Sequence, residues 1–425
     1  MTLRVAVVGA GWAGLAAAVA AHRRGHAVTV FEAARTPGGR ARAVLVTLPD
    51  GRIASLDNGQ HILIGAYVET LALMEAVGVD PRDVLLRLPL VLQDPQGHGI
   101  ALPLWPSPWD AFGGILAARG WTWGDKLSLL RAAVGWQLSG FRCAPDLTVD
   151  QLTGRISPRV RAEMIEPLCV SALNTPAARA SGQVFLRVLR DSLFGRGHRD
   201  WGSSNLLLPK QDLGRLLPQA AAAWLQRAGV DLRLGARVQA LRRDGAQWNV
   251  DGDAFDEVVL AAPSLEAARL VEDSGAEAAG WVAAARSLAF EAITTVYATG
   301  GPRLPQPMLA LHSAPGTPAQ FVFDRGQLGG PEGLLAFVVS ASPRERSQVE
   351  AEVVAQAASL GWQVQPLQTV VEKRATFGCV PGLTRPPLAV APGLWACGDY
   401  VEGPYPATLE GAVRAGLAVG ERLGG

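Results

Sequence analysis

Cysteine is scarce. Four occur in 425 residues (Cys143, Cys169, Cys379 and Cys397), and none belongs to a C-x-x-C pair. That excludes a disulfide-stapled scaffold and a zinc ribbon, and points to small buried thiols in a reducing compartment. The histidines, His22, His26, His61, His98, His198 and His312, show no metal-ligand spacing, so no metal site is expected. Charge of either sign is not in excess: 39 Lys and Arg face 38 Asp and Glu. A net charge of +1 leaves no footprint for nucleic acid, and no such partner is expected. Long apolar runs are also missing. The uncharged stretch 353–371 is broken by four glutamines, Gly361 and Pro366, and 304–323 by Pro305, Pro307, Pro315 and Pro318. The stretch between Arg4 and Arg23 is uncharged too, but three glycines weaken it as a signal peptide or membrane helix. The chain is therefore expected in the cytoplasm. At this length it can bury a large core and is expected to form two lobes.

What is present begins at residue 5. Val5, Val7 and Val8 make a β-branched strand, and Gly9, Gly11 and Gly14 follow at G-x-G-x-x-G spacing. An Ala-rich helix runs to about Arg24 and ends at Gly25, then Ala27 to Phe31 form a second strand closed by Glu32. Each part has a physical task in a dinucleotide site. Gly9 permits the tight turn, Gly11 lets the backbone approach a pyrophosphate, and Gly14 lets the helix pack on the strand. The helix start offers free N–H groups and a positive dipole end. Glu32 suits a ribose 2′-hydroxyl. No second G-x-G-x-x-G follows, so nothing marks a resident nicotinamide site, and electrons must come from an external donor.

Further along, Arg52 to Ala66 reads as a strand, an Asn58-Gly59 turn and an apolar segment entered through Gln60, His61 and Ile62. Tyr67 to Val77 is an amphipathic helix, and Leu85 to Leu104 alternates like small-sheet strands. The stretch 102–138 holds Trp105, Trp109, Trp121, Trp123 and Trp136, with Arg119, Lys126 and Arg131 interleaved. It fits either an interfacial segment in peripheral contact with the inner face of the cytoplasmic membrane, or the core of a helical lobe. Helices are expected over 160–173, 181–194, 213–228, 265–289 and 348–360. The block 230–238 makes a strand and turn, with a hairpin over 238–250, and Val238 is a candidate cofactor contact. Asp256 to Pro263 is a buried parallel-type strand, and 290–299, 320–323 and 334–340 are strands. Near the C-terminus, Gly393 to Asp399 is an apolar strand ending in Gly398-Asp399, and an Ala-rich helix follows from Thr408.

Thr36-Pro37-Gly38-Gly39-Arg40 stands just after the ribose acid, and this Gly-Gly-Arg turn resembles flavoproteins of the amine oxidase and phytoene desaturase superfamily. Within that group the blocks DNGQHILIGAY (57–67), EPLCVSALNTP (166–176), FLRVLRDSLF (185–194), EKRATF (372–377) and the GDY…PATLEGAVRAG end (398–416) together resemble the hydroxysqualene dehydroxylases of bacterial hopanoid synthesis. The resemblance spans the chain. It implies FAD and an α/β fold: a discontinuous Rossmann-like FAD-binding lobe of glutathione-reductase type over 1–66, 205–264 and 385–425. An α+β substrate lobe over 67–204 and 265–384 completes it. It implies that Gly39 and Arg40 pass the FAD phosphates, that Gly398 and Asp399 meet the ribityl chain, and that Ala407-Thr408 faces the flavin pyrimidine, where negative charge develops on reduction. It also implies a small-molecule isoprenoid substrate, hydroxysqualene, reduced to squalene and water. The Cys397 to Glu402 segment departs from the family pattern around Gly-Asp.

Such a reaction needs an acid for the leaving hydroxyl, a dry pocket and stabilisation of an allylic cation. His61, Asp57 and Tyr405 are the candidate acids. Phe185, Phe194, Phe290, Phe377 and Tyr405 are candidate aromatic neighbours of the cation. Lys373 and Arg374 are candidates to pair with the flavin or a loop acid. A carotenoid-type desaturase or saturase is the rival function, with the same fold and cofactor. An amine oxidase and a non-enzymatic prenyl-carrying escort are weaker rivals, since the latter lose the nucleotide glycines and the Gly-Asp strand that this chain keeps.

Overall fold

A computed structural model describes residues 1–341 and 344–424. Its organising layer is a six-stranded sheet in the order Asp231–Leu234, Ala27–Glu32, Arg4–Val8, Glu257–Leu260, Leu394–Ala396 and Ala389–Ala391. The first five strands are parallel and the last is antiparallel. One sheet thus draws on the beginning, middle and end of the chain. Val5, Ala6 and Val7 are fully buried at its centre, as parallel strands covered on both faces require.

The helix Trp12–Arg23 explains its alanines. Every residue from Trp12 to Ala21 is buried, because the helix lies between the sheet and the closing helix Leu409–Arg422. Gly416 and Gly420 meet it at backbone distance: a Cβ on Gly416 would stand 2.1 Å from the Ala13 carbonyl oxygen. Small residues on both helices fasten the two ends of the polypeptide to each other.

The second layer is an antiparallel five-stranded sheet, ordered Met308–Ala310, Phe321–Asp324, Leu335–Ser340, Phe290–Thr299 and Gln365–Phe377. Strand alternation gives its two faces different work. Val322, Phe337 and Val339 pack with Val349, Val353 and Ala357 of the helix Arg346–Ser359. Phe321, Phe323 and Val338 point the other way, into a cavity.

Four elements differ from the sequence reading. The helix expected over 213–228 is two, Leu213–Leu216 and Pro218–Arg227, because Pro218 starts the second and cannot continue the first. The strand Gln365–Phe377 was not anticipated, because Glu372, Lys373 and Arg374 interrupt its pattern; it sits at a sheet edge, half exposed, where charge is tolerated. The helix expected over 265–289 is two, Ser264–Asp273 and Ala279–Arg286, separated at Gly275, whose φ of +75° ends the first. The helix expected over 160–173 contains a π turn, Arg161–Ile165, before Glu166–Leu173. Pro167 there has no N–H to donate to the preceding turn, which accounts for the irregularity.

The tryptophan-rich stretch forms a hairpin of two helices, Trp109–Ala117 and Trp123–Leu138. It is not a core. Trp121 is buried, but Trp105, Trp109 and Trp123 are 58%, 66% and 75% exposed. No helix among the described residues is long and apolar enough to cross a membrane.

Candidate functional site

A cavity of about 940 Å³ runs between the two sheets. Its walls come from the glycine turn, the ends of the parallel strands, the 58–62 loop, the start of the closing helix and the antiparallel sheet. Gly9, Gly11, Glu32, Gly39, Arg40, His61, Val238, Gly398, Asp399, Ala407 and Thr408 all line it. Gly14 does not, and its place explains it. A Cβ there would stand 1.9 Å from the Gly9 carbonyl oxygen, so the residue serves helix-on-strand packing. Gly9 has φ +116°, and its Cβ would meet the Ala261 carbonyl oxygen at 2.7 Å. A Cβ on Gly11 would meet only the Gly39 Cα, at 3.9 Å, so this glycine keeps open the space before the helix.

That helix start has no side-chain cap and no acidic residue in its first turn, so its N–H groups are left for a ligand. Glu32 is held rigidly at the next strand end. One carboxylate oxygen accepts from the Ala10 N–H at 2.7 Å, the other from the Ala34 N–H at 2.8 Å. Each oxygen keeps a lone pair for a ribose hydroxyl. Arg40 reaches across the cavity. Its guanidinium donates to Asp399 at 2.5 Å and to the carbonyls of Ala375 and Arg374 at 2.9 and 3.4 Å. This clamp joins the Gly-Gly-Arg turn, the Gly-Asp turn and the edge strand of the second sheet. Asp399 beside it holds the Arg40 guanidinium above its ordinary pKa. Arg374 contributes a carbonyl to the clamp and lines the cavity; Lys373 does neither.

The Cys397–Glu402 departure is structural at Tyr400. Its ring packs under Gly398, where a Cβ would be 2.7 Å from Cε1. The Tyr400 hydroxyl and the Gln60 amide nitrogen are buried in the cavity wall with no partner among the described residues. Buried polar atoms of this kind call for a ligand or water. The closing helix is capped by Thr408, which accepts from the Gly411 N–H, and Ala407 just before it adopts φ +58°.

The three candidate acids fall in three different places. His61 is in the cavity wall. Its Nδ1 lies 2.6 Å from the Gly59 carbonyl oxygen, so that nitrogen carries the proton and Nε2 is the free atom. Burial, and then Arg40, hold its pKa below the ordinary histidine value, against the Gly59 hydrogen bond. Asp57 is behind the wall, 1% exposed, accepting from the Leu213 N–H at 2.7 Å. Tyr405 lines a smaller neighbouring cavity and donates to Asp191 at 2.9 Å; burial and Asp191 push its pKa up to about 12.

Asp57 has a measurable consequence. Burial raises its carboxyl to about 7, with Arg325 opposing. A raised folded-state pKa gives stability that is present at acid pH and lost as pH rises through 7. One such proton amounts to about 1.4 kcal/mol between pH 6 and 8. The melting temperature of the wild type is expected to fall across that interval, and Asp57→Asn to remove this component. A wild-type curve parallel to that of Asp57→Asn would show the carboxyl to be ionised throughout.

Phe185, Phe194, Phe290 and Phe377 are absent from the lining. Phe185 and Phe377 are fully buried in the core, and Phe194 packs on Phe141 at 5.2 Å between centroids. The apolar end of the cavity is instead walled by Ile62, Val170, Leu173, Ile293, Phe321 and Phe323. The alternation of 321–323 was readable as a strand, but not which face it turned. In the sequence, Asn174-Thr175-Pro176 marks no more than a helix stop. Asn174 does end a helix, at φ +44°, and its side chain donates to Thr376 and accepts from the Ala341 N–H, fixing the cavity wall. Arg325, buried and donating to Gln60 at 3.3 Å, had no sequence signal.

Comparison with known proteins decides the class of this site. The model of the family described as flavin containing amine oxidoreductase matches residues 12–423. The chain belongs to that family. It is an FAD-dependent oxidoreductase. Three curated relatives carry the name hydroxysqualene dehydroxylase, at 24% to 27% identity. That of Rhodopseudomonas palustris is 27% identical over 98% of this chain and 97% of its own. That of Sinorhizobium fredii is 26% identical with the same coverage. Among solved structures, an oxidoreductase from Methanosarcina mazei shares the fold, with a TM-score of 0.73 at 16% identity, covering 99% of this chain and 100% of that one. The Rossmann-like lobe expected from the glycine turn is therefore present. The residues also fit FAD. The open Gly11 cradle, the rigid Glu32 and the orphaned Tyr400 and Gln60 atoms all lie in one cavity between the two sheets.

Proposed function

We propose that the chain removes the hydroxyl of hydroxysqualene reductively, giving squalene and water. The observation that carries this reading is the composition of the cavity: glycine-lined where it meets the parallel sheet, and bearing Ile62, Val170, Leu173, Ile293, Phe321 and Phe323, beside Ser340, Glu372 and Thr376, where it meets the other sheet and its neighbouring helix. The relatives named hydroxysqualene dehydroxylase, matched almost end to end, support the same substrate class. In this reading residues 1–66, 205–264 and 385–425 make the cofactor lobe, and 67–204 and 265–384 the substrate lobe.

Bound FAD, once reduced by an external donor, supplies hydride from N5. The chain's own residues do the rest. Gly11 and the helix behind it seat the pyrophosphate, Glu32 takes the adenosine ribose, and Val238 closes over that end. Arg40 fixes Asp399 toward the ribityl hydroxyls, and Ala407-Thr408 presents the closing helix's positive end to the pyrimidine side. Ile62, Val170, Leu173 and Ile293 exclude water that would recapture an allylic cation. Phe321 and Phe323 offer π faces to that cation without offering a nucleophile. His61, in its doubly protonated form, donates from Nε2 to the leaving hydroxyl, which departs as water, and is left with its proton on Nδ1 toward the Gly59 carbonyl. The protein works in the cytoplasm, in peripheral contact with the membrane where so apolar a substrate dissolves.

The test is anaerobic. Photoreduced holoprotein is mixed with hydroxysqualene, the flavin absorbance is followed, and the organic extract is analysed. Reoxidation with one squalene per flavin is expected. A flavin that stays reduced, while the oxidised protein desaturates a polyene precursor, would establish the carotenoid-type reading instead.

A further inference from the structure

We propose that the tryptophan hairpin is a docking face for the surface of an anionic phospholipid bilayer. The proposal rests on the function just given, in naming where its substrate is met, but its geometry is independent. Leu104, Trp105, Trp109, Leu116, Trp123, Leu127, Val134 and Leu138 are all between 45% and 84% exposed. Elsewhere among the described residues, the large exposed apolar side chains are Met1, Leu234 and the pair Leu45 and Ile53 on one face of a two-stranded hairpin. A concentration in 35 residues is not the ordinary scatter of apolar surface.

The hairpin is built for an interface and not for a core. At about 100° per residue, Trp123, Leu127, Val134 and Leu138 fall within about 60° of one another around the second helix. Leu129, the buried residue of that helix, lies on the opposite side, about 150° from the centre of this stripe. Trp109 and Leu116 align in the same way on the first helix, with buried Ile115 turned inward. Lys126 and Arg131 flank the outer stripe on either side. The ammonium of Lys126 sits 5.3 Å from the Trp123 ring centroid and donates to the Leu116 carbonyl, bridging the two helices.

Charge selects the occupant. Between residues 104 and 142 stand Arg119, Lys126, Arg131 and Arg142, against Asp110 and Asp125. Asp110 is 3% exposed and accepts from Ser204, and Asp125 is tied into the cap of the second helix by Thr122. The outward face is thus apolar and aromatic with a cationic rim, the pattern of a helix lying in the headgroup layer over anionic lipid.

The face is also coupled to the cavity. Trp121, at the hairpin turn, donates from its indole nitrogen to Glu163 at 2.7 Å. Glu163 lies in the π turn Arg161–Ile165, and the helix that follows carries Val170 and Leu173 into the cavity wall. A contact made at the membrane therefore ends on the substrate pocket through one helical run.

The experiment uses FAD-loaded full-length protein and vesicles of phosphatidylcholine with or without phosphatidylglycerol. Wild type is expected to cosediment with the phosphatidylglycerol vesicles and its tryptophan emission to shift to the blue. The triple variant Trp105→Ser, Trp109→Ser, Trp123→Ser is expected to lose about tenfold or more in partitioning while keeping its flavin. Lys126→Gln with Arg131→Gln is expected to lose the preference for the anionic vesicles. Turnover in detergent micelles reports separately on the chemistry: hydroxysqualene left unchanged there, with vesicle binding intact, overturns the function and leaves the docking face standing. Equal sedimentation of wild type and triple variant, no blue shift, or a dimer that the triple variant dissociates while vesicles stay empty would each overturn the docking face.

Discussion

Gly11→Ala should yield a folded, colourless protein, and Gly14→Ala should yield little folded protein at all. The two glycines are three residues apart in one motif, yet their surroundings are opposite. At Gly14 a methyl group would sit 1.9 Å from the Gly9 carbonyl oxygen and 2.9 Å from the Ala261 Cβ. Neither neighbour can yield, since Gly9 is the turn and Ala261 follows the adjacent strand. The helix Trp12–Arg23 would have to lift from the sheet, and it is buried along almost its whole length. A cost above about 4 kcal/mol is expected, a large part of any domain's stability. At Gly11 the same methyl group meets nothing closer than 3.9 Å. It projects instead into the space where a pyrophosphate must approach the backbone. FAD affinity is expected to fall about a hundredfold or more, roughly 2.7 kcal/mol, with the circular dichroism spectrum unchanged. Flavin absorbance of the purified proteins and titration with FAD read out both variants. A Gly11→Ala protein that is yellow and tightly loaded would sink the assignment of this turn to the phosphates.

That contrast shows which parts of the site are legible in a sequence. The glycine turn, Glu32, the Gly-Gly-Arg turn and Gly398-Asp399 are backbone requirements at fixed spacing, and each lines the cavity. Local chemistry forces them, so local sequence reveals them. Arg40 was legible as a phosphate-loop residue but not as a clamp, because Asp399 and Ala375 are more than three hundred residues away. The substrate end was scarcely legible. Phe321 and Phe323 alternate with Val322 as in any half-buried strand, and period alone does not say which face meets a ligand. Phe185 and Phe377 were the plausible aromatic candidates, yet packing directed both into the core. The charged edge strand Gln365–Phe377 hid from the pattern for the same reason: its partners, Phe290–Thr299, are supplied by the fold and not by neighbours in sequence. The tryptophan hairpin left two readings open, and side-chain exposure, which no local pattern reveals, bears on both: Trp121 is buried while Trp105, Trp109 and Trp123 are exposed.

Replacing His61 should stop the chemistry without emptying the cofactor site. Of the three candidate acids, it alone has a ring or carboxyl in the main cavity wall; Asp57 lies behind the wall, and Tyr405 lines a different cavity with its hydroxyl engaged by Asp191. The Gly59 carbonyl, 2.6 Å from Nδ1, fixes the tautomer and leaves Nε2 to exchange a proton with substrate. A positioned acid contributes about 10² to 10⁴ in rate, so His61→Ala and His61→Gln are both expected to slow single-turnover reduction of hydroxysqualene by at least about a hundredfold. Gln can still donate a hydrogen bond but not a proton, and a glutamine variant as impaired as the alanine one separates acid from anchor. The pH profile carries a second signature. Burial lowers the His61 pKa, so its protonated, proton-donating form is scarce at neutral pH and grows as pH falls. The wild-type single-turnover rate is therefore expected to rise toward acid and level off below the ordinary histidine value, and both variants to lose this limb while retaining wild-type flavin content. An unchanged rate in both variants, or an acid limb that survives in them, assigns the proton to a group other than this imidazole.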